Sequence, residues 1–354
     1  MTQYSLWLCD DAYARSVYVK RWTRLRYRIA LNDVGSASLD IPIDDTRIAS
    51  IALMQRLLIY RDGALVYGGI LQDEGWSLSE AAPAGDLYVL DAFDHAAYLD
   101  WRTIPRPAGS HFDTVTDSAD DVAKSFVRRH MGTTAAVARQ FTDVTVAADA
   151  GAVASTSRSW VGGSLLEHLQ RLAWGKAFFW RFVPGATGAT FTTAYPLWGL
   201  DRSKGNGTNA ELVFSRDRHN VAQMTYRKAL SGHYNYMYMA GAGEGKDQTV
   251  VERADATAGA AYKRRERWVS ATQYTATADL QDEGDAQIAA MKATEVMTVI
   301  PKPGILTPAN LGDKVTIFER RYDRDFEKDM IITAITFEVG ADGVDRATPE
   351  MVAA

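Results

Sequence analysis

Hydrophobic and polar positions are patterned most clearly between residues 54 and 71, MQRLLIYRDGALVYGGIL. Two apolar runs flank Asp62-Gly63, a pair that readily adopts the positive φ angles of a two-residue type I′ turn, so the segment predicts a tight β-hairpin. Apolar side chains occupy both alternating sets of positions, and we therefore expect both faces to be covered. Gly68-Gly69 would let the chain bend or another backbone approach closely.

Shorter segments with the same character lie on either side of this hairpin. They predict antiparallel strands at residues 4–9, 17–22, 27–31, 38–43 and 87–93, with a loop of small residues at 81–85. Pro105 and Pro107 then end regular structure. We predict that residues 1–104 form a first β-barrel domain.

The spacing of apolar residues becomes helical after residue 104. Apolar side chains recur between Val122 and Met131, which predicts a helix capped by Asp117 or Ser118. His130 lies on the apolar stripe, where a packed core residue is expected. Gly132 is placed for a left-handed C-cap.

A second helix is predicted in SLLEHLQRLAWGK. Ser164 and Glu167 predict a capping box, leucines line one face, and Gly175 would end the helix. A loop of small residues at 147–159 precedes it, and a strand with a Pro-Gly turn, AFFWRFVPG, follows. Residues 105–200 are therefore predicted to form a smaller α+β insert domain.

Patterns typical of strands return from about residue 200. ELVFS, AQMTYRKA and YNYMYMAGAGEG predict strands, residues 279–297 a helix, and LGDKVTIFERR with KDMIITAITFEVG a hairpin that closes the chain. These last strands resemble the hairpin at 54–71 and its following strand, which suggests an internal duplication of two barrels, although any two hairpins share such features. Residues 201–354 would form a second β-barrel domain with one helix, and the fold class is mainly β with an α+β insert.

Composition and charge restrict the classes of function. The 354 residues favour two or three domains, and the net charge of −5 provides no basic surface for gripping nucleic acid. The single cysteine, Cys9, excludes an intrachain disulfide and a thiolate zinc site. The chain lacks a signal-peptide pattern and a run of about 18 apolar residues, so we expect synthesis in a reducing cytoplasm and no membrane insertion.

Motifs for catalysis or ligand binding fail on spacing. The glycines at 241–245 resemble a phosphate-binding loop, but Ala240 and Asp247 stand where that loop needs glycine and a hydroxyl residue, so a turn is favoured. The histidines are scattered without a metal-ligand spacing: His95, His111, His130, His168, His219 and His233. None of the serines lies in a G-x-S-x-G nucleophile-elbow motif, and Ser164 is interpreted as the N-cap of the second predicted helix.

Carboxylates occur in pairs that are typical of solvated turns: Asp10-Asp11, Asp44-Asp45 and Asp120-Asp121. Asp323, Asp325 and Glu327 could begin a calcium loop, but Lys328 occupies the position that needs glycine. A glycosidase pair formed by carboxylates distant in sequence stays open, although no motif points to one. We predict no catalytic, cofactor-binding or metal-binding residues and no cofactor.

Two groups of aromatic residues could bind flat ligands such as sugars or nucleobases, although core packing and subunit contacts are commoner uses. The first group lies on one face of a predicted strand, and the second is clustered in sequence: Tyr234, Tyr236 and Tyr238; and Trp174, Phe178, Phe179, Trp180 and Phe182.

Taken together, these segments resemble the tail-tip hub proteins of long-tailed bacteriophages, which are similar in fold to the central hubs of contractile tails and to the VgrG proteins of type VI secretion. The segments that carry the resemblance cover most of the chain in the family's order: NDVGSASLDIP, RLLIYRDGALVYGGIL, LDAFDHAAYLDWRTI, SLLEHLQRLAWGKAFFW, NYMYMAGAGEGKDQ and LGDKVTIF.

The resemblance implies a homotrimer in which each chain supplies two tail-tube-like barrels, so that six barrels form a ring at the virion tail tip. Such a baseplate hub would join the tail tube or distal tail protein to fibre or tip proteins. DNA would pass through its lumen during ejection without specific binding.

Other functions remain open from the residues alone. The chain could be a carbohydrate-binding adhesin module that uses the tyrosine and tryptophan rows. It could also be an enzyme such as a cell-wall hydrolase, although the chain ends soon after the last predicted barrel strand.

Overall fold

The computed structural model describes residues 2–78, 86–272, 274–291, 294–320, 325–340 and 342–354. The fold is mainly β. The first part of the chain contains β1 (Tyr4–Cys9), β2 (Arg15–Val19), β3 (Arg24–Ala30), β4 (Ser36–Pro42), a 3-10 helix (Thr46–Ser50), β5 (Arg56–Arg61), β6 (Ala64–Ser77), β7 (Leu87–Asp94) and α1 (Ala97–Asp100). The loop predicted at 81–85 lies outside the described residues.

The middle of the chain alternates strands and helices. It contains β8 (Asp113–Ser118), α2 (Ala119–His130), a 3-10 turn (Val137–Arg139), β9 (Val144–Val146), β10 (Ser155–Trp160), α3 (Leu165–Lys176), β11 (Phe179–Gly185) and β12 (Gly188–Ala194).

The last part returns to strands with two helices among them. It contains β13 (Val213–Phe214), β14 (Val221–Ala229), β15 (Tyr236–Ala240), a 3-10 turn (Gly245–Asp247), β16 (Val250–Ala254), α4 (Ala256–Tyr262), β17 (Glu266–Ser270), α5 (Thr277–Ala290), β18 (Thr294–Pro301), a 3-10 turn (Pro308–Asn310), β19 (Lys314–Glu319), β20 (Phe326–Val339) and β21 (Asp345–Ala353).

One 11-stranded sheet combines the first and last parts of the chain. Its order is β13-β19-β20-β3-β4-β7-β6-β5-β1-β2, and β21 pairs with β20 outside this path. The link between the two parts is the antiparallel pairing of β20 with β3, in which Phe337 lies opposite Tyr27 and both are buried. The described strands of this sheet form one open path, and no closed barrel is found among them.

The hairpin predicted at 54–71 is confirmed. Asp62 and Gly63 have φ angles of 50° and 82°, as a type I′ turn requires. Leu57 packs in the main core and Leu58 in a smaller cluster on the opposite face, so both faces are covered. Gly68 allows close approach of the insert, because a Cβ there would lie 3.1 Å from the Cβ of Pro184.

The similarity between this hairpin and β19-β20 extends to backbone detail. In each, a 3-10 helix leads to a residue with positive φ, Met54 at 71° and Gly312 at 83°, followed by a 6-residue and then a 14-residue strand. The positive-φ residue donates its N–H to the long strand, Met54 to the Leu71 carbonyl and Gly312 to the Ile332 carbonyl. Each long strand also pairs with the strand that follows it, β6 with β7 and β20 with β21. In both pairs the register shifts at a bulge just after the acceptor residue. The chain thus contains the same supersecondary unit twice.

The insert has more strands than the sequence indicates. The predicted loop at 147–159 overlaps β10, which pairs with β8. Both strands are rich in serine and threonine, so they lack the apolar alternation of a recognisable strand. The expected Pro184-Gly185 turn is also wrong, because both residues lie within β11, opposite Ala189 and Gly188 of β12.

Both predicted insert helices exist, but their ends differ from expectation. Gly132 does not have a positive φ; the backbone passes so close to Arg128 that a Cβ at Gly132 would lie 2.9 Å from the Arg128 Cα. Ser164 is the N-cap residue of α3 but makes no capping bond, since its hydroxyl donates to Asp100 Oδ1 at 2.9 Å. The left-handed position at the end of α3 belongs to Ala177, with φ of 55°, rather than to Gly175.

Two predictions for the last part are corrected. The helix expected at 279–297 ends at Ala290, and residues 294–297 belong to β18, which pairs with β14 along its length. The final hairpin does not close the chain, because β21 follows and pairs with β20. β18 is a strand because β14, far earlier in the sequence, supplies its hydrogen bonds, whereas β21 pairs with the strand directly before it.

Two further cores accompany the main core and the small cluster around Leu58. The insert core surrounds α2 and α3 and includes Tyr98 and Leu99 of the preceding segment. A third core lies between α5 and the β16-β15-β17 sheet, where Met237 and Met239 are fully buried. None of the described helices has the length and apolar character needed to cross a membrane.

Candidate functional site

A buried polar cluster joins the large sheet to the insert. Asp143, just before β9, accepts hydrogen bonds on Oδ2 from Arg56 Nε at 3.1 Å, the Tyr98 hydroxyl at 3.1 Å and the Tyr13 hydroxyl at 3.3 Å. His95 Nε2 lies 3.4 Å from the same oxygen. We term these five residues the junction cluster.

Electrostatics favour the ionised form of Asp143. Burial alone raises the pKa of this carboxyl, but the hydrogen bond and charge of His95, with Arg56 and Tyr98, outweigh burial and hold the pKa at about 2. The carboxylate oxygen is surrounded by donors that belong to the protein. This arrangement suits a structural tie better than proton transfer to a substrate, because the acceptor is already occupied.

A second buried carboxyl lies nearby, at the end of β7. Asp94 Oδ1 accepts the Ala96 N–H at 3.0 Å. Burial raises the pKa of Asp94 to about 7, and the positive charge of Arg181 opposes this shift only in part. This carboxyl therefore titrates near neutral pH.

The histidines are dispersed in space as they are in sequence. His130 is buried, as predicted, with Nε2 2.9 Å from Asp113 Oδ2. His168 stacks on Trp160, while His111 and His219 are exposed in loops. In the part of the chain that the structure describes, no group of three or more His, Cys, Asp or Glu residues is arranged to hold a metal ion. Asp323 of the calcium-loop candidate lies outside that part.

The glycine cluster at 241–245 forms a turn between β15 and β16, as predicted. Gly243 and Gly245 have φ angles of 104° and 55°, which favour glycine. The turn continues only into a three-residue 3-10 helix and then β16. It therefore lacks the helix whose N-terminus would bind a phosphate.

The aromatic residues in and directly after the last turn of α3 are mainly core residues. Phe178, Phe179, Trp180 and Phe182 are buried, whereas Trp174 is 41% exposed. Trp174 lines a cleft of about 560 Å³ between β3, α3, α5 and β21. The polar groups of this cleft bond to one another, as in the bidentate pair of Arg28 with Glu350 and the bond from Gln170 to Asp33 at 3.3 Å.

The tyrosines of β15 behave differently. Tyr236 and Tyr238 lie on the outer face of the β16-β15-β17 sheet, opposite Met237 and Met239. Tyr234, predicted on the same face, packs instead against the inner core. The alternation of side chains between the two faces of the sheet is broken just before β15, because the N–H groups of residues 235 and 236 both donate to the carbonyl of residue 265. Tyr234 therefore does not share the face of Tyr236 and Tyr238.

Trp268 of β17 completes a row that the sequence did not reveal. It is 58% exposed and lies directly opposite Tyr238 in the parallel pairing of β15 and β17. The centroids of Tyr236 and Tyr238 are 5.2 Å apart, and those of Tyr238 and Trp268 are 6.1 Å apart with ring planes inclined by 26°. We term these three rings the aromatic platform. The sequence of β17, ERWVS, does not alternate between apolar and polar residues, and its pairing with a tyrosine 30 residues away is not local information.

Comparison with known proteins identifies the family. The family model described as Siphovirus ReqiPepy6 Gp37-like protein matches residues 5–351. The chain belongs to this family. The match includes the large sheet, the insert and the aromatic platform.

Solved structures with a similar fold are phage tail proteins. The tail protein from Neisseria meningitidis MC58 has a TM-score of 0.62 at 14% identity, with 99% of this chain and 96% of that chain covered. The 43 kDa tail protein of prophage MuSo2 from Shewanella oneidensis has a TM-score of 0.60 at 16% identity, with 100% and 97% covered. Among curated proteins, no sequence matches.

VgrG is similar over part of its length. In the lidded Francisella PdpA-VgrG complex the matched chain has a TM-score of 0.50 at 9% identity, with 99% of this chain and 52% of that chain covered. The resemblance stated from the sequence is thus confirmed: the chain is a siphovirus-type protein by family and has the fold of phage tail proteins.

Proposed function

We propose that this chain is a structural virion protein, the homotrimeric hub that joins the tail tube or distal tail protein to receptor-binding or tip proteins. Its role is geometric and not enzymatic. The observation that carries this proposal is the supersecondary unit that occurs twice, once around Met54 and once around Gly312, with the same hydrogen bonds and bulge.

A chain with two similar units can match rings of different symmetry. Three copies place six units around one axis, so one face can meet a sixfold tail tube while the other presents threefold symmetry to the tip. In this arrangement residues 1–104 and 201–354 each supply one tail-tube-like barrel domain. Neighbouring chains complete the barrels, and the insert at 105–200 lies outside the ring.

The ends of the large sheet support association between chains. β2 and the two-residue β13 terminate the strand order, and an uncovered sheet edge presents N–H and C=O groups that favour pairing with another chain. A closed ring of protomers covers such edges.

The charges are compatible with passage of DNA through the ring. Two of the arginines of β3 are paired, Arg24 Nε with Glu338 at 3.0 Å and Arg28 Nε with Glu350 at 2.8 Å. Paired arginines are less available for phosphates, and three copies of −5 each carry −15 in all.

The test is to locate and count the protein in intact particles. A tag at the C-terminus, imaged by electron microscopy, is expected at the tail tip, and quantitative mass spectrometry is expected to give three copies per particle. Cross-linked oligomers released from tails are expected at about 117 kDa, three times 39.0 kDa. Labelling along the tail tube, or a copy number that is not three, would contradict the proposal.

A further inference from the structure

The aromatic platform places one exposed ring, Trp268, and two partly buried rings, Tyr236 and Tyr238, on a sheet whose inner face already has a core. Met237 and Met239 bury the inner face against α5, so the outer rings are not needed to stabilise this sheet. A tryptophan that is 58% exposed next to two tyrosines is an apolar surface available to a ligand.

Hydrogen bonds hold the tyrosine rings in place. Arg264 lies over the Tyr236 ring, with its guanidinium carbon 3.5 Å from the centroid, and Nη2 donates to the Tyr238 hydroxyl at 2.7 Å. The Tyr236 hydroxyl donates to Glu252, and Arg264 Nε donates to Glu266. The surface is therefore organised before any ligand arrives, which lowers the entropic cost of binding.

We propose that the aromatic platform binds an uncharged, linear oligosaccharide. The C–H faces of sugar rings pack on flat aromatic rings, and successive sugars would pack on Trp268 and the neighbouring Tyr238, because Arg264 covers the ring of Tyr236. The carboxylates of Glu252 and Glu266 accept hydrogen bonds from sugar hydroxyls beside the row. Both kinds of group that a polyol needs, apolar faces and acceptors at their edge, are present.

Charge distinguishes a saccharide from single-stranded nucleic acid, which also stacks on aromatic rings. Binding of nucleic acid needs a positively charged groove along the backbone. Here the guanidinium that contacts the rings, Arg264, is already paired with Glu266, and a second carboxylate, Glu252, accepts a hydrogen bond from Tyr236. The platform would repel phosphates but not neutral sugars.

Size distinguishes a saccharide from a protein partner. A stable protein interface buries roughly 800 Å² on each side around an apolar centre. The platform is one row of three rings with charged residues directly beside it. Such a strip suits a single extended chain of sugars.

The experiment uses the full chain, a dodecamer of thymidine and four saccharide probes, the linear hexasaccharides of α-1,4-glucose, β-1,4-glucose, β-1,4-N-acetylglucosamine and β-1,4-mannose. Saturation-transfer NMR detects contact with sugar C–H groups, and calorimetry measures affinity. Trp268→Ala and Tyr238→Ala test the platform. Trp76→Ala is the matched control, because Trp76 is 67% exposed on β6, in a different sheet.

At least one hexasaccharide is expected to receive saturation from the wild-type protein. Trp268→Ala is expected to weaken binding about tenfold or more, Trp268→Phe is expected to retain most of it, and Trp76→Ala is expected to leave it unchanged. Light scattering on the same samples reports the oligomeric state independently, so failure of this proposal can be told apart from failure of the hub proposal.

The proposal is overturned if none of the four hexasaccharides binds, or if Trp76→Ala weakens binding as much as Trp268→Ala. Tighter binding of a dodecamer of thymidine than of any hexasaccharide would reassign the platform to nucleic acid. A lower oligomeric mass of Trp268→Ala would reassign it to a subunit contact.

Discussion

The junction cluster allows a sharp test of what holds the insert to the large sheet. Asp143→Asn keeps the shape of the side chain but removes its charge, leaving the buried Arg56 without its buried counter-charge. Removing one partner of a buried pair costs about 3–5 kcal/mol, since the remaining charge stays desolvated. A domain has roughly 5–15 kcal/mol of stability in all, so this loss is large.

Asp11→Asn is the matched control for this substitution. Asp11 Oδ1 lies 3.4 Å from Arg56 Nη1, so it pairs with the same guanidinium, but its side chain is 83% exposed. Exposed ion pairs contribute about 0–1 kcal/mol. The two variants therefore compare a buried and an exposed carboxylate on one arginine.

Urea denaturation followed by circular dichroism measures the free energy of unfolding of both variants. Because a chain of this size can unfold in steps, hydrogen exchange of the β5 and β9 amides should accompany it. In Asp143→Asn a loss of about 3 kcal/mol would accelerate exchange of these amides roughly a hundredfold, since 1.4 kcal/mol corresponds to a factor of ten. Loss of less than about 1 kcal/mol, equal to that of Asp11→Asn, would refute the assigned role.

The dependence of stability on acidic pH provides a second test of the junction cluster. The pKa of Asp143 is about 2 in the folded protein and about 4 in an unfolded chain. The folded state is therefore favoured by the ionised carboxylate above about pH 4, and this contribution is lost as the pH falls towards 2. Asp143→Asn should remove this part of the acid dependence, and an unchanged acid profile would contradict the explanation.

The remaining predictions concern Asp94 and the two repeated units. The folded-state pKa of Asp94 is raised to about 7, so the contribution of this group to stability is fully present below about pH 4 and is lost as the pH rises through 7. In urea denaturation, Asp94→Asn should therefore lose less stability between pH 5 and pH 8 than the wild type does, and an equal loss would exclude Asp94 as the cause. Gly312→Ala should lower the free energy of unfolding by at least about 1–3 kcal/mol in urea denaturation, because φ is 83° and a Cβ would lie 2.5 Å from the Cβ of Trp198. Met54→Gly, at the equivalent position with φ of 71°, should lower it much less, because glycine adopts this φ without strain. Similar losses in the two variants would argue against equivalent backbone roles.

Local sequence patterns predicted features that depend on a few consecutive residues. Asp62-Gly63 predicted the type I′ turn because positive φ is favoured by those residue types wherever they lie. The apolar stripe from Val122 to Met131 likewise predicted α2 and the burial of His130. The resemblance of the ordered segments predicted the family and the tail-protein fold.

Only the tertiary structure decided features that depend on distant partners. The pairing of β20 with β3 joins residues about 300 positions apart, and the polar strands β8 and β10 are strands because each supplies the other's hydrogen bonds. Ser164 bonds to Asp100 in preference to capping α3, and Trp268 joins the tyrosine row through strand register. The physical reason is common to these cases: turn and helix propensities act within a few residues, whereas strand pairing and buried hydrogen bonds are set by groups that meet only in the folded chain.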